Sequence, residues 1–250
     1  MLITVDELNN LWNIRPTGVV HVGAHLAEES TAYERHDWKP VIWIEAQPSL
    51  IEELKKKLNP ESNSVIEAAV WNKNGIELEL HVASNSQSTS LLDFGSHQTS
   101  YPDITFTNSL KVKTKRLDEL LKDHSCPNFI NLDLQGVELQ ALEGLGSMIE
   151  KFDYIFVEVN KVEVYKDCTL VGTLDLFLES EGFSRQTTRW ILGRGWGDAL
   201  YIRKSARRRR SIRQKLWTGL NSSKFYLRQL ISLTLHKILD LRRKRTVSSI

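Results

Sequence analysis

The chain has 250 residues, 41% of them hydrophobic, enough for one α/β domain with a sizeable core and some chain to spare. Its two cysteines, Cys126 and Cys168, lie far apart at no metal-ligand spacing, so they read as buried or neutral thiols in a reducing compartment. The net charge of +2 hides a split: residues 203–250 carry 15 Lys and Arg against the single acid Asp240, which leaves 18 basic and 30 acidic residues in 1–202. Met1 to Asn10 lacks the basic start and apolar core of a signal peptide, and no apolar run is long enough to span a bilayer. The expected location is the cytoplasm, with peripheral membrane attachment through the basic tail.

In chain order, Thr4 and Glu7 form a capping-box pattern that predicts a helix over 5–13. The apolar, β-branched run at 18–23 predicts a buried strand, and the small residues Gly23 and Ala24 mark a sharp turn into a helix over 27–37. A strand at 41–45 ends in Glu45. Pro48 opens a helix over 48–58, which Asn59-Pro60 stops. Strand three is 64–70. The alternating stretches 76–82 and 110–115 predict two half-buried strands that pair. Residues 84–100, rich in Ser, Asn, Gln and Thr, read as a loop. A short helix at 117–123, a core strand at 129–134, a helix over 136–148 and a strand at 154–159 follow. A helix over 170–181 is closed by Gly182, and strands 183–188 and 198–203 join around Gly193, Gly195 and Gly197. Alternation of seven strands with helices predicts a Rossmann-like three-layer α/β sandwich. Its seven-stranded sheet is mostly parallel with one antiparallel strand from the final hairpin. Residues 1–203 form this domain and 204–250 a basic, helical tail.

The strand–turn–helix of residues 18–37 followed by a strand ending in an acid is the first half of a nucleotide-binding unit. Glu45 falls 22 residues after Gly23, near the spacing at which an acid meets ribose hydroxyls. A pyrophosphate needs further glycines in this turn, and the chain offers Ala24, His25 and Ala27 instead. A cofactor with ribose and adenine but no phosphate tolerates that loss, and S-adenosylmethionine is one. A β-branched side chain at position 23 is expected to crowd such a ligand while the protein stays folded.

Four stretches carry a family resemblance: Val22-Gly23-Ala24-His25, Ile44-Glu45-Ala46-Gln47-Pro48, Ser88-Thr89-Ser90-Leu91-Leu92, and Asn131-Leu132-Asp133-Leu134-Gln135-Gly136-Val137-Glu138. Over residues 16–203 the chain resembles the FkbM family of S-adenosylmethionine-dependent methyltransferases, whose fold is class I. The resemblance implies O-methylation of a hydroxyl on a sugar, glycolipid, polyketide or similar molecule. It also implies that the cofactor is held by Val22, Gly23, Ala24, His25, Glu45, Ala46 and Asp133. Ala68 and Ala69 stand where class I members place adenine. Two positions depart from the pattern. His21 replaces the usual acid of the first strand, and Asn131 replaces the family's lysine ahead of the strand-four acid.

Asp133 and Glu158, each at the end of a core strand, are the candidate catalytic residues, as base or as contact to the donor. The alternatives are a helix cap for Asp133 and a solvated strand end for Glu158. Glu138 is expected to support a helix start. His25 and His97 are candidate bases by pKa alone and more often bystanders. Trp196 and Asp198 sit near the last hairpin, Trp196 as a pocket wall or core aromatic. No metal site is expected. Competing readings are a binding module that kept the fold without turnover, and a nicotinamide-dependent oxidoreductase, which the missing glycines disfavour.

In the tail, Arg207 to Arg210 and Arg242 to Arg245 bracket Leu216, Leu220, Leu227, Leu230, Ile231, Leu235 and Ile238 at three- and four-residue steps. The partners expected are a small-molecule or glycan acceptor for the domain and an anionic membrane surface for the tail. Self-association of the tail as a homo-oligomer comes next, and nucleic acid last.

Overall fold

A computed structural model describes residues 1–124, 127–207 and 209–247, with side chains as far as Leu235. Cys126 and Arg208 lie outside the described residues, as do the side chains of Ile238 and Arg242 to Arg245. The elements begin with α1 (Val5–Leu11), β1 (Val19–Val22), α2 (Ser30–Arg35), β2 (Val41–Glu45), α3 (Pro48–Lys57), β3 (Asn63–Glu67), β4 (Ala69–Val70) and β5 (Glu77–Ala83). Next come α4 (His97–Ser100), β6 (Phe106–Lys115), α5 (Leu117–Leu121), β7 (Phe129–Leu132), α6 (Glu138–Glu143) and β8 (Tyr154–Asn160). The chain ends in α7 (Val171–Ser180), β9 (Phe183–Trp190), β10 (Trp196–Arg203) and α8 (Ile212–Val247).

Seven strands form one sheet in the order β3-β2-β1-β7-β8-β10-β9. Pairing is parallel from β3 through β8, and β10 runs antiparallel to both its neighbours. The fold is the predicted α/β sandwich. Strands β1, β2, β7 and β8 are buried along their whole length, which is why they read as apolar runs without alternation. Alternate residues feed two cores. Val20, Ile42, Ile130 and Ile155 pack with Leu142 and Leu174, while Val19, Trp43, Phe129 and Phe156 pack with Leu8, Tyr33 and Leu54. From β1 the strand order runs outward in both directions, so the connections leaving β1 and β7 diverge and leave a crevice beyond the carboxyl ends of these two paired strands.

Local chemistry explains most boundaries. The capping box at α1 is formed: Thr4 Oγ1 accepts from the Glu7 amide and Glu7 Oε2 from the Thr4 amide, both at 3.2 Å. Gly182, at φ 85°, closes α7. The stretches 76–82 and 110–115 do pair, as β5 and β6.

Three expectations are corrected. Strand three is two strands: β3 ends at Glu67 in the large sheet, and β4 crosses to a second sheet beside β6 and β5. The helix over 136–148 stops at Glu143 and resumes as a 3-10 turn over Gly146–Lys151, because Gly146 takes φ 50°. The serine-rich stretch is not a plain loop. It contains α4, bridges to β5 at Ser90, and buries Ser88, Ser90 and His97.

α8 lies along α1 and the β9–β10 hairpin. Gln214 Nε2 donates to the Asn10 carbonyl at 3.0 Å, and Asn221 Nδ2 donates to Glu7 Oε1 at 3.1 Å. The amides of Trp190 and Leu192 donate to Tyr226 Oη and Gln229 Oε1 at 3.2 and 2.7 Å.

Candidate active site

The turn after β1 is built on backbone contacts. The Gly23 and Ala24 amides donate to the Ile44 carbonyl at 2.9 and 3.1 Å, and the Asp133 amide donates to the Val22 carbonyl at 3.0 Å. Gly23 sits at φ 82°, and a Cβ there would overlap the Asp133 carbonyl oxygen. Position 23 must therefore be glycine for the ends of β1 and β7 to meet. This corrects the expectation that a side chain there would disturb only the ligand.

Glu45, buried at the end of β2, fastens that turn. Its Oε2 accepts from the His25 amide and its Oε1 from the Gln47 amide, both at 2.8 Å. Burial raises its pKa against those two bonds. A carboxylate offers about four acceptor sites, so each oxygen keeps a lone pair for a ligand. His25 Nδ1 lies 2.6 Å from Glu28 Oε1, and its Nε2 lies 2.7 Å from Ser86 Oγ. The Glu28 bond raises the His25 pKa, and although burial pushes Glu28 upward, His25 helps hold it down to about 2. His25 thus clasps the β1 turn to the serine-rich stretch through Ser86.

Beyond β7, Glu138 Oε1 accepts from the Leu134 and Gly136 amides at 3.0 and 3.1 Å. It closes the turn into α6, and burial pushes its pKa up to about 7. The Asp133 side chain makes no such cap. It opens to the cavity and accepts from Gln135 Nε2. Gln135, at φ 54°, also places Nε2 3.3 Å from Glu158 Oε2 and accepts the Tyr165 hydroxyl at 2.6 Å. One amide therefore joins the two candidate acids. Desolvation by the surrounding cavity walls raises the pKa of both. Glu158, buried and facing Asp133, Glu138 and Asp198, stands well above the ordinary range, so the solvated alternative for it does not hold. Asp198 pairs with Glu158 in register across β10 and β8, and burial lifts it to about 6.

A cavity of about 390 Å³, of ligand size, lies in the crevice. It is lined by Val22, Gly23, Ala24 and His25 from the β1 turn, Glu45 and Ala46 from β2, Ala68 and Ala69 at the β3–β4 link, and Asp133 and Glu158. All predicted site residues meet there. Trp196 lines it too and donates through Nε1 to the Tyr101 hydroxyl at 3.2 Å. Sequence reasoning missed Gln135, Ser88 and Tyr101. Gln135 and Ser88 stand within two of the stretches that carry the family resemblance, whereas nothing in the sequence marked Tyr101. His97 is held inside: it is buried, stacked on Phe94 with ring centroids 4.3 Å apart, and 3.1 Å from Ser88 Oγ.

The two departures from the family pattern turn out to be neighbours. His21 and Asn131 face each other across β1 and β7. The Asn131 amide nitrogen lies 3.3 Å from the His21 ring and donates to the Tyr33 hydroxyl at 3.1 Å. His21 stacks on Trp43, and burial lowers its pKa, so it is neutral. Where the resemblance implies an acid and a lysine, this chain has a neutral pair, so neither position leaves a buried charge without its partner.

The cavity fits a phosphate-free, cationic nucleoside. The Gly23 and Ala24 amides that a pyrophosphate would use are already spent on Ile44, and the carboxylates would repel phosphate. Glu45 suits ribose hydroxyls, the small Ala68 and Ala69 suit a flat ring, and Asp133 and Glu158 suit a positive sulfur.

A doubly wound sheet with this pocket at its switch point defines an S-adenosylmethionine-dependent methyltransferase of class I. The model of the methyltransferase FkbM domain matches residues 21–185, and the chain belongs to that family. No curated protein matches the chain. Among solved structures it is similar to magnesium protoporphyrin IX methyltransferase (ChlM) from Synechocystis PCC 6803 with bound S-adenosylhomocysteine. Identity there is 10%, 80% of each chain is covered, and the TM-score is 0.46. It is also similar to M. capricolum TrmK in complex with S-adenosylhomocysteine, with 9% identity, 79% of this chain and 67% of that one covered, and a TM-score of 0.42.

Proposed function

We propose that this methyltransferase acts on a hydroxyl group of a sugar, glycolipid or related small molecule, with Glu158 as general base and Asp133 as the acid nearest the donor. The observation that carries this reading is the Asp133–Gln135–Glu158 chain at one end of the cavity, with Glu158 raised well above the ordinary carboxylate range. The donor, when bound, would supply an electrophilic methyl on a positively charged sulfur that leaves as a neutral thioether. Glu45 would hold the ribose hydroxyls on its free lone pairs, and Ala68 and Ala69 would leave room for the adenine. Glu158 takes the proton that the acceptor hydroxyl loses as its oxygen bonds to carbon. A carboxylate of raised pKa is the stronger base toward an alcohol, and a cation beside it favours its ionised form. Gln135 orients both acids, held in turn by Tyr165. Trp196 and Tyr101 offer an aromatic wall of the kind that sugar rings stack on.

The test is transfer of labelled methyl from S-adenosylmethionine to a panel of mono- and disaccharides and glycolipids. Glu158→Gln should lower turnover by roughly 10²–10⁴-fold, the range of general-base catalysis, while leaving S-adenosylhomocysteine affinity unchanged. Asp133→Asn should weaken that affinity. Loss well under tenfold in both variants removes the proposed roles.

A further inference from the structure

The exposed apolar surface of this protein is concentrated on one helix. Leu216, Leu220, Leu227, Leu230, Ile231 and Leu235 of α8 are 51–64% exposed. Their three- and four-residue steps place them on one side of the helix. The side that meets the body is mainly polar: Gln214, Asn221, Tyr226 and Gln229 supply hydrogen bonds to α1 and the β9–β10 hairpin, and Phe225 lies under the Arg189 guanidinium. An amphipathic helix packing on its own domain would bury the leucines; this one turns them outward. From Leu230 to Leu235 every residue is exposed.

Charge says what covers them. Residues 204–235 hold nine Lys and Arg and no acid. Arg207, Arg209, Arg213, Lys215, Lys224 and Arg228 all stand exposed. A second copy meeting it helix on helix would bring the same uncompensated charge against itself, and nucleic acid would leave the leucines in water. An anionic lipid surface answers both features, since it accepts apolar side chains at the headgroup boundary and attracts Lys and Arg. No helix among the described residues is long and apolar enough to cross a membrane, so α8 would lie in the plane.

We propose that α8 docks the protein on an anionic membrane, its leucine face at the headgroup boundary and its basic residues on acidic lipids. α8 is bonded to the hairpin that also carries Trp196 into the cavity, so docking would tether that hairpin to the membrane. The proposal stands independently of the acceptor's identity.

The experiment is sedimentation of the full chain with phosphatidylserine-containing vesicles and with pure phosphatidylcholine vesicles. Circular dichroism and S-adenosylhomocysteine binding establish that each variant is folded. The full chain should sediment with the phosphatidylserine vesicles at low salt and leave them at high salt. Leu227→Glu/Leu230→Glu/Ile231→Glu should reduce that binding about tenfold or more, as should Arg207→Gln/Arg209→Gln/Arg213→Gln. The proposal is overturned if the full chain stays in the supernatant, or if the triple Glu variant still sediments. It is equally overturned if the chain ignores vesicles and runs as a dimer that the triple Glu variant dissociates, or binds only an oligonucleotide.

Discussion

Glu45 shows how one side chain can serve both fold and ligand. Its oxygens take the His25 and Gln47 amides, and its spare lone pairs face the cavity. Glu45→Ala should weaken S-adenosylhomocysteine binding by about 1.5–3 kcal/mol, the range for hydrogen bonds to a charged acceptor. Titration calorimetry checks this, and unchanged affinity takes Glu45 out of the site. Gly23 is a fold residue: Gly23→Val sets a β-branched side chain at positive φ against the Asp133 carbonyl. The ligand-free variant should melt well below the wild type or not fold, and an unchanged Tm would show that the β1 and β7 ends can part. Glu158 must be ionised to act as base, and its pKa is raised in the folded protein. kcat/KM should therefore climb with pH beyond the usual carboxylate range, and Glu158→Gln should flatten that limb.

Among the elements, the turn from β7 into α6 depends most on a titrating group. Glu138 caps it while buried, at a pKa of about 7 against an ordinary 4.5. A carboxyl whose folded pKa is raised favours the native state fully below its unfolded pKa, and that benefit is lost as pH rises through the folded one. Glu138→Gln keeps the accepting oxygen and removes the titration. Wild type and variant should thus be close in stability near pH 4, and the variant should gain relative to wild type up to about pH 7. The gain should be on the order of 3 kcal/mol at most, read by urea unfolding across pH. A difference that stays constant with pH would mean that Glu138 does not titrate in this range. The serine-rich stretch is a structural element in the same sense: Ser88, Ser90 and His97 are buried in it, and His25 clasps it to β1 through Ser86.

At the scale of the whole molecule, an acidic body carries a basic helix held by polar contacts. Those contacts are hydrogen bonds and a cation–π contact rather than a shared leucine core, so α8 should be the first part to come loose. Gln214→Ala with Asn221→Ala should speed tryptic cleavage among the basic residues before Ile212 while donor affinity stays at the wild-type value. Cleavage at the wild-type rate would mean that other contacts, such as the Arg210 guanidinium 3.7 Å over the Trp12 ring, hold the helix.

The alternation of apolar strands with helices, the capping box at Thr4, the closure at Gly182 and the Glu45 spacing are all legible in the chain itself. Each is written in residues adjacent in sequence or repeated at a fixed period, so local backbone chemistry and two-sided burial suffice to read them. Only the tertiary structure decided the rest. Gly23 is set by a carbonyl 110 residues away in the chain, His21 and Asn131 are a pair only in the β1–β7 register, and Gln135 reaches two acids from two strands. The break between β3 and β4 reflects a choice between two sheets that one strand pattern cannot express. The leucine period of α8 is plain in the sequence, but which side meets the body was settled by where hydrogen-bond partners stand on α1 and the hairpin. Those partners lie up to about 200 residues away, where periodicity carries no information.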